Sequence, residues 1–211
     1  MALRTFVAFI WLALLAGCLG NQTEFGAGSR KMYADQITVK EILPPNAPSI
    51  SQNFRLLGPS AQRDHSQYEH LGIDITARKG TPVLAAAAGR VTASGKGPLY
   101  GNVVVIDHGR DRFGRRLETI YKHLDNRIVS VGQKVKRGQE LGGLGKTGLQ
   151  SSGILHVHFE VLRQDKTGRM VQMDPGLFWA EGRGRVTCFD PEKDWPERPF
   201  KAIYPVQCKS G

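Results

Sequence analysis

The chain lacks an apolar run long enough to span a bilayer comfortably. Its longest, FVAFIWLALLAG at residues 6–17, has the length of a secretory h-region and follows Arg4. It also lacks a helical stripe sustained over three turns between Phe54 and Phe178, which argues against an α-helical domain there. No serine or cysteine sits in a recognisable nucleophile motif, so nothing points to a covalent route of hydrolysis. Acidic residues are scarce too, 19 Asp and Glu against 29 Lys and Arg, for a formal net charge of +10. A surface of that sign suits nucleic acid, anionic lipid or an acidic polymer, and charge alone does not choose among them. An apolar share of 40% argues against disorder throughout. The 211 residues suit a signal segment plus one ordinary domain.

The N-terminus narrows the choice. The apolar run ends in Leu15, Ala16, Gly17 and Cys18, which resemble a bacterial lipobox whose cysteine takes the lipid. Residues 1–17 are therefore read as a lipoprotein signal peptide and Cys18 as the lipidation site. A plain cleavable signal and an uncleaved anchor are the alternatives, and all three place the domain outside the cytoplasm, where nucleic acid is not an expected partner. Residues 18–52, with NQTEFGAGS and LPPNAPS and no sustained period, are read as anchor and linker. With Cys18 assigned to lipid, Cys188 and Cys208 remain as an even pair in an oxidising compartment, and they are predicted to form a disulfide.

From Phe54 to about Phe178 short β-branched runs alternate with glycine turns: GIDITA, TPVLAAAAG, RVTASG, NVVVIDHG, TIYKHL, IVSVGQKV and HVHFEV. The expected fold is mainly β: a small antiparallel sheet or barrel-like sandwich with few short helices. Residues 53–178 would form this domain. Residues 179–211 are expected to be a small extension packed on it and stapled by the disulfide.

Four of the six histidines fall where a metal or proton-transfer site would use them, together with one carboxylate. His70 and Asp74 in HLGID are four apart, and on an extended segment even spacing puts both on one face. His156 and His158 in LHVHFEV are two apart, so their rings share a face while Val157 and Phe159 turn to the other. A catalytic zinc takes three protein ligands and leaves one position open; His70, Asp74 and His158 supply three. His123 in YKHL and His156 are then available for general base, proton-shuttle or oxyanion-stabilising roles. Taken singly, an HxxxD or an HxH is a common accident of sequence. Both pairs in one exported, strand-rich domain, with a further histidine between them, carry more weight. His65, in the polar stretch QRDHSQYE, is read as a solvated loop residue, and His108, in IDHG, as a turn histidine.

In this order, HLGIDITARKGTPVLAAAAGRV, YGNVVVIDHG, YKHL, VGQKVKRGQELGGLGKTG and HVHFEV resemble the lysostaphin-type (LytM) zinc endopeptidases, over roughly Phe54 to Pro175. The resemblance implies a β fold of the duplicated-hybrid, biotinyl- and lipoyl-like kind. It also implies one Zn2+ held by His70, Asp74 and His158, with His123 and His156 as catalytic histidines. The implied activity is hydrolysis of peptide cross-links or stem peptides in peptidoglycan. The chain departs from the family pattern before the last motif, where SSGILHVHFE stands in place of a GPHLHFE-like run.

Two other classes compete with the enzyme. One is a non-catalytic envelope lipoprotein that binds peptidoglycan or activates a cell-wall amidase. The other is a carrier or phosphotransfer domain, suggested by VGQKVKRGQELG and the paired histidines but disfavoured by export, which removes the cytoplasmic phosphate donor. The expected setting is a monomer, lipid-anchored in the envelope and facing the periplasm. Leu19 after the cysteine resembles outer-membrane sorting.

Overall fold

β-branched and glycine-rich segments of this length cannot bury an apolar face alone; they do so by pairing edge to edge. The computed structural model describes residues 38–56 and 69–209. Residues 1–17, read above as a signal peptide, and Cys18 and His65 lie outside them. Ten strands follow in chain order: β1 Ser49–Gln52, β2 Ile73–Thr76, β3 Pro82–Leu84, β4 Gly89–Gly97, β5 Gly101–Arg110, β6 Arg116–Leu124, β7 Lys134–Val135, β8 Glu140–Gly143, β9 Val157–Gln164 and β10 Met170–Met173. The main sheet runs β1-β2-β9-β6-β5-β4-β7, with β10 also on β9, while β3 and β8 form a second, two-stranded sheet. Every strand pairing is antiparallel. Among the described residues the only helical elements are 3-10 turns at Leu149–Ser151 and Pro175–Leu177, so the fold is mainly β, as the absence of a helical stripe implies. No described helix is long and apolar enough to cross a membrane.

β9 organises the molecule. Val157, Phe159 and Val161 point into the main core beside Ile73, Ile75, Val104, Ile106, Tyr121 and Leu124. The alternate residue Leu162 joins a smaller cluster with Ala93, Val103, Val105 and Ile120. This period of two leaves His158 and Glu160 on the face away from the main core. Register then fixes what lies beside them: Asp74 of β2 and Lys122 of β6 are both cross-strand partners of His158.

Two expectations about chain organisation are corrected. Residues 38–52 are built into the fold rather than forming a linker. β1 pairs with β2, Val39 N–H donates to Asp174 at 2.6 Å, and Trp179 Nε1–H donates to Glu41 at 2.6 Å. Backbone bonds also join Ile42 to Gly184 and Val186. Apart from the β1–β2 pairing, these partners lie more than a hundred residues away in sequence, so no local period announces them. The second correction is that no core boundary falls at residue 178. Trp179, Val186, Ala202, Tyr204 and Val206 belong to the same buried cluster as Phe159 and Tyr121, and the Trp179 ring lies 6.3 Å from Phe159 and 6.0 Å from Tyr204. Cys188 and Cys208 are joined in a disulfide, with Cα atoms 6.0 Å apart and 20 positions between them in sequence. A cross-link closing a loop of that size adds on the order of 3 kcal/mol by restricting the unfolded chain.

Candidate metal centre and active site

The start of β9, the end of β6 and the approach to β2 meet at one end of the main sheet. Three inward atoms lie in a triangle there. His70 Nε2 is 3.1 Å from Asp74 Oδ1 and 3.1 Å from His158 Nδ1, and His158 Nδ1 is 2.8 Å from Asp74 Oδ1. His70 does not reach this place along one extended strand, as even spacing suggested. It pairs with Arg55 ahead of β2, and the chain bends at Gly72 before the strand begins. Gly72 is required by close approach: a Cβ there would lie 2.5 Å from Phe159 O and 2.9 Å from His158 Nε2.

The outer nitrogens decide what the inner ones can do. His70 Nδ1 lies 2.9 Å from the Asn53 carbonyl, which can only accept, so that nitrogen carries the proton. His158 Nε2 lies 3.1 Å from Glu160 Oε1, again an acceptor. With both rings neutral, His70 Nε2 and His158 Nδ1 present lone pairs towards Asp74 Oδ1. Three acceptors about 3 Å apart repel one another unless a positive charge sits among them. Zinc bonds of about 2.0–2.2 Å in tetrahedral geometry separate ligand atoms by about 3.4 Å, so the donor set and its size fit this ion. The outward bonds to a carbonyl and a carboxylate are the arrangement that orients metal-binding imidazoles.

Electrostatics point the same way. Burial raises the Asp74 carboxyl, but hydrogen bonds and charge from His158 and His70 more than reverse this and hold it well below the usual carboxylate range. Burial pushes His158 down, yet hydrogen bonds to Asp74 and Glu160 outweigh it and raise the imidazole above its ordinary value. The pocket thus attracts a cation, and without a metal a proton answers. Burial also raises Glu160, but Lys122 and His158 bring it down to about 2. Glu160 and Lys122 form a buried ion pair, and Lys122 Nζ lies 4.0 Å from the centre of the Tyr100 ring.

His123 and His156 complete the site, with ring centres 4.8 Å apart. His123 Nδ1–H donates to Thr147 O at 2.9 Å, which leaves Nε2 as a lone pair. Burial, and then the nearby His156, His158 and Lys122, lower His123 to about 4, so it stays neutral near pH 7 with its lone pair free. It adopts a left-handed backbone, φ 65°, a conformation that costs a non-glycine residue energy and gathers at functional positions. His156 Nδ1 is 3.0 Å from Ile154 O, and its Nε2 is 3.8 Å from Asp74 Oδ1.

Residues 68–173 match the family model described as Peptidase family M23. The chain belongs to peptidase family M23. Among its relatives, the peptidoglycan DD-endopeptidase ShyC of Vibrio cholerae is 38% identical over 104 residues, 49% of this chain and 23% of that protein. The lipoprotein YgeR of Escherichia coli is 40% identical over 91 residues, covering 43% and 33%. The murein hydrolase activator NlpD of Escherichia coli is 36% identical over 97 residues, covering 46% and 24%. The matched part of this M23 chain thus spans a quarter to a third of the relatives' length.

The structure brings together His70, Asp74, His123, His156 and His158. His108 is not a turn residue but lies within β5, at the other end of the sheet, where Ala88 O and Thr119 Oγ1 each lie 2.8 Å from one of its ring nitrogens. Glu160, Lys122 and Tyr100 were missed as supporting residues. The signal for Glu160 was present, since HVHFE continues the alternation that pairs His156 with His158. Lys122 and Tyr100 carry no such sign, because strand register brings in the first and the turn between β4 and β5 the second. Just before the stretch that departs from the family pattern the chain makes the 3-10 turn Leu149–Ser151, and Leu149 and Ile154 on this approach are exposed.

Proposed function

We propose that this M23 chain is a zinc-dependent endopeptidase that hydrolyses peptide cross-links or stem peptides of bacterial peptidoglycan. The observation that carries the reading is the triangle of His70, Asp74 and His158 acceptors, with both imidazole protons held outward, beside the uncommitted Nε2 of His123. The relative ShyC, a peptidoglycan DD-endopeptidase by name, supports the substrate class. Zinc would be held by these three residues and, when bound, would supply Lewis acidity towards the scissile carbonyl and lower the pKa of water towards about 7.

The chain's own residues do the rest. Asp74 supplies the negative charge that offsets the cation, and Asn53 O and Glu160 fix the two imidazole planes. His123 Nε2 accepts a proton as water oxygen bonds to the carbonyl carbon, and the C–N bond breaks as the amine nitrogen takes up a proton. The Thr147 carbonyl keeps His123 in the tautomer that can accept, a role worth about 10²–10⁴ in rate for a positioned base. His156, beside His123, is the second proton carrier and faces the developing oxyanion.

The chain would be held in the envelope through lipid on Cys18, facing the periplasm, with outer-membrane sorting after Leu19; YgeR, a lipoprotein by name, favours this setting. A second reading, an activator of a wall hydrolase, is favoured by the similarity to NlpD. One experiment separates the two: purified cross-linked peptidoglycan is incubated with the full chain, with and without a zinc chelator, and the muropeptides are analysed. Chelator-sensitive loss of cross-linked dimers is expected. Intact dimers with zinc-loaded protein, but faster release when a wall amidase is added, would replace the first reading with the second.

A further inference from the structure

A second cavity, about 630 Å³, opens at the opposite end of the main sheet, where the starts of β4 and β7 meet the end of β5 and the tail around Arg198. Asp107 on its wall pairs across the sheet with Glu118, five residues before His123 on β6. At about 3.3 Å per strand residue the cavity lies roughly 17 Å from the catalytic end. It is therefore separate from the zinc site.

Its charges are unbalanced. Glu197 is met by Arg137 at 3.6 Å, while Arg116 is shared between Asp107 at 2.9 Å and Glu118 at 2.7 Å, which leaves one negative charge over beside the wall. Lys134, Lys136 and Arg198 line the same space and have no acidic partner among the described residues. Arg90, whose guanidinium donates to the Gly132 carbonyl at 2.6 Å, adds a fourth positive charge; its cross-strand neighbour Asp107 is bound to Arg116. The wall is pinned in place. Arg137, only 9% exposed, donates to the carbonyls of Trp195, at 2.7 Å, and Lys201, at 3.4 Å, and so ties the tail to the end of β7. Phe200 contributes an apolar surface, packed against the His108 ring at 4.9 Å.

We propose that this cavity is a second binding site, for a ligand that carries phosphate. Set against the one negative charge left over between Asp107 and Glu118, the four cations still exceed what a single carboxylate could neutralise, and two are guanidiniums whose planar fork matches phosphate oxygens. A cavity of this volume is large enough for a whole headgroup or phosphosugar rather than a lone ion. Bound 17 Å from the zinc site, such a group would hold the enzyme on an envelope surface without occupying its active site.

The test uses the full chain in non-ionic detergent, titrated calorimetrically with inorganic pyrophosphate in low and physiological salt. Binding is expected, weakening with salt as the charges are screened. The double variant Lys134→Gln, Arg198→Gln should bind about tenfold more weakly, because two charge-assisted contacts are lost. The control Arg183→Gln, Lys209→Gln removes the same charge outside the cavity and should bind as the parent does, with both variants keeping the parent's thermal midpoint. Sedimentation with phosphatidylglycerol against phosphatidylcholine vesicles then separates the sources. A preference for phosphatidylglycerol that the cavity variant loses assigns a lipid headgroup, and pyrophosphate binding without that preference assigns a soluble or polymer-borne phosphate. No pyrophosphate binding, or equal weakening in the control, overturns the proposal whether or not the protein cleaves peptidoglycan.

Discussion

His108 and His123 lie on neighbouring strands at opposite ends of the sheet, and their imidazoles are lowered to nearly the same basicity. Each has one nitrogen on a backbone carbonyl, Ala88 O or Thr147 O, and each is lowered to about 4 with burial as the largest cause. They differ at the other nitrogen. In His108 it is engaged by Thr119 Oγ1 at 2.8 Å, whereas in His123 it has no hydrogen-bond partner among the described residues and lies on the side of His156 and His158. A depressed imidazole therefore marks burial, and only an uncommitted lone pair beside a cation site marks a base. The rest of the comparison is context: around His123 the backbone is strained and the neighbours are histidines, while around His108 they are Phe200 and an ordinary strand ladder.

The largest expected effect comes from removing what separates the two environments. Asp74→Ala deletes the charged member of the acceptor triangle, and zinc retained after dialysis, measured by atomic emission, should fall to background, with cleavage of cross-linked peptidoglycan falling with it. Zinc retained at one ion per chain would contradict the ligand set. Next, His123→Ala should keep the ion but lower turnover by about 10²–10⁴, the usual contribution of a positioned base. Equal zinc loss in both variants would erase the distinction between ligand and base.

His108→Gln should leave turnover within about twofold and instead cost about 2 kcal/mol of stability, because the buried Ala88 O and Thr119 Oγ1 lose a partner suited to both. Denaturant unfolding measures it, and a collapse of activity at unchanged stability would give His108 a catalytic role. The smallest effect is a slope. Since folding lowers His108 from 6.5 to about 4, the unfolded chain binds more protons between those values. The stability this histidine contributes is present above about pH 6.5 and is lost as pH falls towards 4. Comparing parent and His108→Gln unfolding across that window should show a shallower slope in the variant, and parallel curves would mean that His108 does not titrate as its burial implies.

Much of the site was legible because strand periodicity is local. HVHFE puts His156, His158 and Glu160 on one side whatever the rest of the chain does, since successive side chains on a strand point to opposite faces. The chemistry of the residue types was equally plain: imidazoles and a carboxylate without a nucleophile motif leave metal-assisted hydrolysis as the natural route. Position was another matter. His70 reaches Asp74 through a bend at Gly72, not along a strand, and Gly72 matters because His158 and Phe159 press against it. Lys122 enters through register and Tyr100 from the turn between β4 and β5, and residues 38–52 and 179–206 are tied in partly by bonds more than a hundred positions apart, such as Ile42 to Gly184 and Ile203 to Ala86.

By itself, then, the sequence determined that the fold would be strand-built and which residues share a face of β9, because both follow from short-range periodicity. Only the tertiary structure decided which strands stand side by side, which imidazole nitrogen stays uncommitted, and how residues 38–52 and 179–206 close around the sheet. Those outcomes depend on hydrogen-bond and packing partners far apart in the chain, and local pattern carries no information about them.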